Sequence, residues 1–518
     1  VLTHLAEKTH RGVLTGAPIT DMKITLAAGR AHKKHTEGGD FREATYRAVR
    51  QGLRRAESVL LEPWYSFELT VPNEAVGRAL SDLSLMAARF SSPNAASGSE
   101  SVIVGTAPVN LTDNPEAAVN VPILCNSMEE AVKKLGYSTD FESYTLCQSM
   151  YASFAMFGFA PVVFINVLDP AKHKKDHAEK EYGVVNGQIR VDDVTGVLKS
   201  SVVVKKAETV LEAEKDYILS FDEYGYLLIT LISDAANGVQ SLKVTTTSID
   251  PAAVTEEDII GGYDAESGKE SGLEVIRQVY PRTGTPAALI SAPGWSHKAE
   301  VAAVMITKCE AINGVFTAEC LLDLDTEKAI KYADVPKYKE ESGYQDRHAI
   351  VLWPMVQVNK AKLYYSAVYG AMVAYTDATN DDVPNLYPSN HLLNADGAVL
   401  ADGTEIYMDR EQANTLNGAG VVTMINEGGW RAWGNNTSAY PDITDTKDRW
   451  IACRRMFTWM GNSLISLYHE KVDSPANYRL IEAICDSENI RLNSYVAAGK
   501  LAGARIEYNE TENTVENI

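Results

Sequence analysis

The chain has 518 residues, of which 45% are hydrophobic and 23% charged, so we expect a globular protein of roughly three or four domains. The formal net charge of −21 is uneven: residues 1–98 carry 13 Lys and Arg against 10 Asp and Glu, a balance of +3, which leaves −24 for the remainder. Such an acidic body argues against nucleic acid as the main partner, because phosphate binding needs a basic surface.

The sequence indicates neither a membrane segment nor a disulfide scaffold. Its longest apolar run, Phe154–Leu168, is too short to span a bilayer and contains Gly158 and Pro161. The N-terminus has no signal-peptide core, and because it begins with Val we do not expect it to be the native start. None of the six cysteines forms a C-x-x-C motif, which favours a reduced cytosolic origin over a disulfide scaffold or a zinc site.

Residues 1–90 are predicted to form a separate α+β domain. A strand, a turn and a second strand are expected within 12–27, and a helix is expected to begin at Asp40, which has capping-box spacing to Glu43. Ser66–Val71 alternates like a strand and precedes another helix. The small, polar segment 91–101 is predicted to be a linker.

Residues 102–181 and 256–420 are predicted to form one discontinuous α/β domain. Short apolar strands alternate with helices in both parts, which is typical of a largely parallel sheet. The predicted strands are Val102–Gly105, Pro161–Val167, Ala288–Ile290, Gly314–Leu322 and Ala349–Leu352, and the predicted helices lie near 128–134, 144–157 and 298–309.

Residues 182–255 are predicted to form a small inserted β domain. The segment is rich in β-branched and aromatic residues, and Asn186-Gly187 is a hairpin turn signal.

Residues 421–518 are predicted to form a C-terminal α+β domain. It is expected to contain a strand over 421–425, a Gly/Asn-rich loop that carries 430–434, a helix over Ile451–His469, another over Ala476–Ser487, and a late strand over Arg505–Tyr508.

Motifs for catalysis and cofactor binding are absent from the sequence. There is no phosphate-binding G-x-x-x-x-G-K-[ST] loop, no G-x-G-x-x-G after a strand and no G-x-S-x-G nucleophile elbow. The close histidine pairs, His32 with His35 and His173 with His177, lie among lysines and have no evident third ligand, so a solvated surface is favoured over a metal site. We therefore expect no enzyme activity, no cofactor and no metal.

A cluster of Trp and Arg in the C-terminal domain is a candidate protein interface, because these residues are enriched at interface hot spots. A role for the tryptophans in the core is the alternative. The helix over 451–469 is expected to bury Ile451, Phe457, Leu464 and Leu467 and to present its arginines to an acidic neighbour. The candidate interface residues are Trp430, Arg431, Trp433, Arg449, Arg454 and Arg455.

Several short stretches stand in a fixed order over residues 101–518. They begin with Val102–Asn110 and Tyr280–Gly284 and continue through Tyr365–Gly370, Ala374–Asp377, Tyr387–Asn390, Asn426–Gly434 and Trp450–Phe457. Together they resemble the sheath subunits of contractile phage-type tails, closest to those of prophages and phage-like particles of Gram-positive bacteria.

The resemblance implies a structural protein in a phage tail or phage-like particle, made in the bacterial cytoplasm. It implies a subtilisin-like α/β fold without catalysis, with the small β domain inserted as a protruding outer domain and a C-terminal domain that faces the tail tube. The implied partners are other copies in stacked six-subunit rings, the tube protein, the baseplate and the tail terminator, with neither nucleic acid nor a membrane among them. Contraction of the sheath would drive the tube into a cell.

A different resemblance covers residues 12–90. Gly12–Asp21, Gly29–His32, Glu37–Ala44 and Val59–Trp64 resemble the fourth domain and the start of the fifth domain of elongation factor G or its ribosomal-protection relatives. Sheath subunits carry N- and C-terminal arms that add strands to neighbouring subunits. Here the translation-factor fragment replaces the first arm, and 514–518 lies about where the second would begin, so we expect a truncated C-terminal domain.

Three functions follow from these patterns. The first is a structural sheath subunit, which self-assembles and turns over no substrate. The second is a translation-factor-like, ribosome-associated protein, although the GTP-binding motif is missing. The third is a hydrolase built on the subtilisin-like layer, which is opposed by the absence of a nucleophile motif.

Overall fold

The computed structural model describes residues 2–7, 10–13, 19, 24–25, 38–56, 100–233, 239–474 and 478–509. The chain divides into two compact units, residues 1–91 and 92–518. In the first unit, helix α1 spans Leu2–Ala6 and helix α2 spans Gly38–Arg55.

Helix α2 confirms the helix predicted from Asp40. Arg54 and Arg55 lie in its last turn, where they interact favourably with the helix dipole. Glu7 accepts hydrogen bonds from Arg42 Nε at 3.0 Å and from the Tyr46 hydroxyl at 2.8 Å, and these contacts, that with Arg42 first, lower the pKa of Glu7 to about 2. The predicted elements at 66–90, and most of the strand–turn–strand at 12–27, lie outside the described residues.

The second unit combines helices and strands throughout. Its described α-helices are α3 Met128–Leu135, α4 Thr145–Met150, α5 Glu256–Ile260, α6 Val279–Thr283, α7 Ala299–Glu310, α8 Val335–Glu341, α9 Tyr365–Ala378, α10 Arg410–Gly418, α11 Thr446–Arg449, α12 Ile451–Tyr468 and α13 Tyr478–Ala497.

Its described strands are β1 Ser101–Gly105, β2 Pro122–Cys125, β3 Val162–Asn166, β4 Lys174–Gly183, β5 Gln188–Thr195, β6 Val203–Lys206, β7 Thr209–Val210, β8 Tyr217–Phe221, β9 Tyr226–Leu231, β10 Ser241–Ile249, β11 Gly262–Asp264, β12 Lys269–Ser271, β13 Leu289–Ser291, β14 Glu319–Asp323, β15 Ala349–Leu352, β16 Met355–Val358, β17 Ala361–Leu363, β18 Gly397–Val399, β19 Val421–Asn426 and β20 Trp430–Trp433.

The main sheet has the strand order β2-β3-β1-β13-β14-β15-β19-β20. Pairing is parallel from β3 to β19 and antiparallel at the two edges. Every residue of β1, β3, β14 and β15 is buried, as expected for parallel strands that are covered on both faces. The predicted α/β layer on a largely parallel sheet is therefore observed.

The chain changes direction at the middle of this sheet. From β1 it continues to β3 on one side, and it then returns to place β13 on the other side of β1, with β14, β15 and β19 following outwards. The carboxyl ends of β1 and β13 therefore flank a topological switch point, where open α/β sheets commonly leave a crevice.

Two smaller sheets face each other between β3 and α5. Their strand orders are β4-β10-β6-β7 and β5-β9-β8, and Ile189, Val204, Leu227 and Ile229 are among the buried residues of their shared core. The predicted turn at Asn186-Gly187 is confirmed, since these residues have φ angles of 52° and 76°, as a two-residue hairpin turn of this composition requires.

Two sequence predictions for the C-terminal part are wrong. The segment predicted as a loop at 430–434 contains strand β20, which pairs with β19 through Thr423 and Trp433. The late strand predicted over Arg505–Tyr508 is not a strand. Aromatic residues favour strands, so neighbouring glycine and asparagine misled the first assignment, and the second segment finds no strand partner among the described residues.

Close packing behind helix α5 requires a glycine at 272. A Cβ atom there would lie 2.3 Å from the Ile259 carbonyl oxygen, whereas one at Gly268 would meet nothing nearer than the Tyr263 hydroxyl at 4.0 Å, and both glycines have positive φ. Each alanine substitution costs about 1 kcal/mol for the left-handed backbone. We expect Gly272→Ala to destabilise the protein by about 2 kcal/mol more than Gly268→Ala, measured by urea unfolding; equal stabilities would contradict the packing.

Candidate functional site: the core and outer face of the C-terminal helix

Helix α12 lies against the amino-terminal edge of the main sheet. Asn462 donates from Nδ2 to the carbonyl of Thr317 at 2.7 Å and accepts from its amide at 3.1 Å, just before β14 begins. Thr458 donates to Oε1 of Glu319, the first residue of β14, at 2.5 Å. Polar side chains therefore attach this helix to the sheet.

An ion pair is buried under the same helix. Arg455 donates to both carboxylate oxygens of Asp377 at the end of α9, with an Nη1–Oδ1 distance of 3.3 Å, and the two side chains are 2% and 1% exposed. Burial acts to lower the pKa of Arg455, but the Asp377 charge and hydrogen bonds raise it overall. The guanidinium therefore stays charged in the interior, where its stability depends on Asp377.

Glu319 adds a second buried carboxyl group to this network. Burial raises its pKa, although the hydrogen bond from Thr458 and the charges of Arg455 and Arg454 oppose the shift. The Nε of Arg454 lies 3.9 Å from this carboxyl group, and its Nη1 donates to Asp448 at 2.9 Å. The charges thus connect α12 with the sheet and with α11.

The outer face of α12 is apolar. Phe457 and Leu467 are 47% and 54% exposed, and the half-buried Met460 and Leu464 lie between them at helical spacing. We call Phe457, Met460, Leu464 and Leu467 the outer stripe.

The predicted orientation of this helix is therefore wrong at Phe457, Leu467 and Arg455 and correct at Ile451, which is buried. The helix can bury polar side chains because Asp377 on α9 pairs with Arg455 and Glu319 on β14 pairs with Thr458. Arg455, Thr458 and Asn462, which recur at helical spacing, were the sequence signal for that face.

A cleft of 450 Å³ lies beside strand β20. Trp433 and Trp450 line it together with Arg410 and several asparagines, and Trp433 Nε1 donates to Asn414 Oδ1 at 3.0 Å. Arg449 stacks on Trp450, with its guanidinium carbon 4.2 Å from the ring centroid. The structure therefore brings Trp433 and Arg449 of the candidate interface to one surface.

The other candidate interface residues lie elsewhere. Trp430 is 5% exposed and donates to the carbonyl of Asp396 at 2.9 Å. Arg431 is half-buried and binds the carbonyls of Glu427 and Asn390. Arg454 and Arg455 belong to the network under α12, so the six residues do not form one continuous patch, and their role in an interface stays a prediction.

The carboxyl edge of the sheet carries a buried acid. Asp323, the last residue of β14, accepts hydrogen bonds from the Ser366 amide at 2.9 Å and from the Ser366 and Ser296 hydroxyls at 2.5 and 3.1 Å. Burial raises its pKa to about 6 against these hydrogen bonds. The arrangement joins the start of α9 to the loop after β13.

The raised pKa of Asp323 makes the stability of the protein depend on pH. Because its folded-state pKa of about 6 lies above the ordinary value of 3.8, the folded state binds more protons between these values, and stability is lost as the pH rises through them. We expect the free energy of unfolding of the wild type, relative to that of Asp323→Asn, to fall by about 2 kcal/mol between pH 4 and 7, measured by urea unfolding.

The matched control is Asp264→Asn. Hydrogen bonds, that from Ser267 first, lower the pKa of the exposed Asp264, so its contribution is lost as the pH falls. If the difference in free energy of unfolding between the wild type and Asp323→Asn stays constant from pH 4 to 7, the pKa of Asp323 is not raised by burial.

The described histidines of the two close pairs do not share a ligand site. His173 and His177 point to different partners, with His173 Nε2 lying 3.3 Å from Asp258 and His177 Nε2 lying 2.9 Å from Ser248 Oγ, and the other predicted pair lies outside the described residues. Among the described residues, no group of three or more His, Cys, Asp or Glu is placed to hold a metal ion.

No helix in the described ranges has the length and apolarity needed to cross a membrane.

Two parts of the chain match different known proteins. The family model for elongation factor G, domain IV, matches residues 1–57. Over 434 residues the chain is 23% identical to the tail sheath protein of Burkholderia phage BcepMu, an alignment that covers 80% of this chain and 86% of that protein. Over 102 residues it is 38% identical to the tetracycline resistance protein TetP of Clostridium perfringens, which is 20% of this chain but only 16% of that protein.

One solved structure with a similar trace is the crystal structure of a sheath tail protein from Desulfitobacterium hafniense. The alignment covers 79% of this chain and 88% of that one, with a TM-score of 0.46 and 8% sequence identity.

Proposed function

We propose that this chain, a relative of contractile-tail sheath proteins over most of its length and of elongation factor G domain IV over its first 57 residues, is a structural subunit of a contractile tail sheath. The observation that carries the proposal is the alignment with the phage tail sheath protein, which covers 86% of that relative. The function predicted from the sequence is the one that this relationship supports. The proposal assigns no catalytic step to the chain.

The finer architecture is part of the proposal. Residues 102–181 and 256–420 would form a subtilisin-like sheath domain, 182–255 an outer β domain and 421–518 the C-terminal domain. The parallel main sheet and the separate β core between β3 and α5 support this division. Six-subunit rings would stack around a tail tube in a virion or phage-like particle, with the baseplate and terminator at the two ends.

The outer stripe is the surface that we assign to the tail tube. A helix of a soluble protein normally turns its apolar side to the core. Helix α12 buries Thr458 and Arg455 together with Met456 and Trp459, and it leaves Phe457 and Leu467 exposed. Trp433 and Arg449, at the cleft beside β20, are the candidate residues for contacts between copies. The buried network then provides the rigid support under both surfaces.

Sedimentation velocity of the full chain, with and without the tube protein, tests the proposal. We expect species larger than a monomer, and rapidly sedimenting complexes when tubes are added. Material that stays monomeric in the presence of tubes would contradict the sheath function.

A second candidate function rests on the first unit. Residues 1–57 match the elongation factor G domain, and the exposed arginines Arg47, Arg50 and Arg54 on helix α2 would suit an anionic ribosomal surface. Pelleting with ribosomes distinguishes it: salt-sensitive pelleting that Arg50→Glu with Arg54→Glu abolishes would favour this function, whereas recovery in the supernatant would exclude it.

A further inference from the structure

A second cavity lies at the topological switch point of the main sheet. It has a volume of 530 Å³, within the range of small-ligand sites. Gly294 and Trp295, which follow β13, form part of its wall, as does Thr145. The Thr145 hydroxyl accepts a hydrogen bond at 3.2 Å from the amide of Thr106, directly after β1, so the cavity is at the carboxyl ends of both strands.

Fixed side chains form the walls of this cavity. Trp295 and Tyr364 provide aromatic surface, and Met355 and Val254 provide apolar surface. Gln148 accepts from the Tyr364 amide at 2.8 Å and donates to the carbonyl of Phe141 at 2.7 Å. These contacts hold the wall in place before any ligand arrives.

The carboxylates at the cavity give it a negative character. Glu142 and Glu327 line it, and the Glu142 side chain is 88% exposed. The charges of Asp323, Asp325, Glu327 and Glu142 add to burial, the larger cause, in raising the pKa of Tyr364.

Lys362 also lines the cavity, but its single positive charge does not cancel the charges of both Glu142 and Glu327. The Nζ of Lys362 donates to the carbonyl of Ala401 at 2.5 Å and lies 4.0 Å from Glu142. His297 stacks on Tyr364 with parallel rings 5.8 Å apart, and burial lowers the pKa of His297 to about 4, so this ring is neutral at pH 7. Among the described residues, no cation lies within ion-pair distance of Glu327.

We infer that this cavity binds an alkyl chain that ends in a guanidinium or ammonium group. The chain would pack on Met355 and Val254, and the cation would lie over the rings of Trp295 and Tyr364 with Glu327 and Glu142 as counter-ions. The same chemistry is present in the side chains of arginine and lysine on a peptide and in free alkyl amines. This binding site is independent of the outer stripe and of sheath assembly.

The indole of Trp295 brings a hydrogen-bond donor to the wall of the cavity. Within the described part of the chain, no acceptor lies within hydrogen-bonding distance of its buried Nε1. A hydrogen bond from this Nε1 to an acceptor on the ligand therefore replaces no existing hydrogen bond. A peptide offers such an acceptor in the carbonyl groups next to its basic side chain.

Isothermal titration of the full chain with n-butylguanidinium and with n-butylurea tests the inference, because the two probes have similar shapes and differ in charge. We expect saturable binding of the cation and a dissociation constant at least about tenfold weaker for the urea, as one cation–π contact and one carboxylate predict. Equal affinities, or no saturation by the cation at millimolar concentration, would overturn the inference.

Variants locate the binding. The double variant Glu142→Gln, Glu327→Gln should bind n-butylguanidinium about fivefold more weakly than the wild type. Glu482→Gln, on the exposed side of α13, should leave the affinity unchanged. Equal effects of the two changes would overturn the assignment to this cavity. Titration with agmatine and with the capped peptide Gly-Arg-Gly separates the two sources. Tighter binding of the peptide indicates a partner's side chain, and tighter binding of agmatine indicates a free amine.

Discussion

Replacing Asp377 by alanine is expected to lower the free energy of unfolding by about 3–5 kcal/mol, the largest effect on stability that we predict. The substitution leaves the guanidinium of Arg455 charged in the interior, where only 2% of its side chain is exposed. It also removes the carboxylate that joins the end of α9 to α12. Urea unfolding followed by far-ultraviolet circular dichroism measures the loss.

Two further variants show whether burial is the cause. Arg410→Gln breaks the pair with Glu427, whose side chains are 64% and 39% exposed, and it should cost no more than about 1 kcal/mol. Arg455→Met combined with Asp377→Ala removes both charges and should be more stable than Asp377→Ala alone. If Asp377→Ala lowers the free energy of unfolding by no more than Arg410→Gln does, the pair of Arg455 and Asp377 is not buried in the interior.

Replacing Phe457 and Leu467 by glutamate is expected to abolish assembly around tail tubes, the largest effect on function that we predict. Both side chains belong to the outer stripe and are about half exposed, so charges there are solvated in the free subunit but would be desolvated at an apolar contact. The isolated variant should unfold at nearly the same urea concentration as the wild type. Pelleting with tubes measures the loss of assembly.

The matched control for the outer stripe is Tyr224→Glu. Tyr224 is 70% exposed in the turn between β8 and β9, on the segment proposed as the outer domain, and its substitution should leave pelleting unchanged. Normal pelleting of the Phe457→Glu, Leu467→Glu variant would exclude the stripe from assembly.

The sequence predicted the α/β layer well because buried parallel strands are marked by continuous apolar runs. Val102–Gly105 and Ala349–Leu352 were found within a residue of their observed ends. The turn at Asn186-Gly187 was also predicted correctly, because these residue types favour the positive φ angles that the structure shows. By contrast, the short strand β20 was hidden by the glycine and asparagine residues around it, because tertiary pairing overrode the local preference.

The candidate site was harder to predict because its partners are distant in sequence. Arg455 binds Asp377 and Thr458 binds Glu319, and hydrophobicity alone does not reveal such pairs. It therefore placed Phe457 and Leu467, in place of Arg455, on the inner face of α12. The family resemblances were predicted correctly from ordered short motifs, and the matches to a phage tail sheath protein and to elongation factor G domain IV confirm them. The interface roles of Trp433 and Arg449 stay predictions.

Negative-stain electron microscopy of the purified chain with tail tubes tests the central claim most directly. If the chain is a sheath subunit, we expect striated tubes or six-fold rings surrounding the tubes, and bare tubes when Phe457→Glu, Leu467→Glu replaces the wild type. Wild-type chains that remain dispersed single particles beside bare tubes would contradict the account.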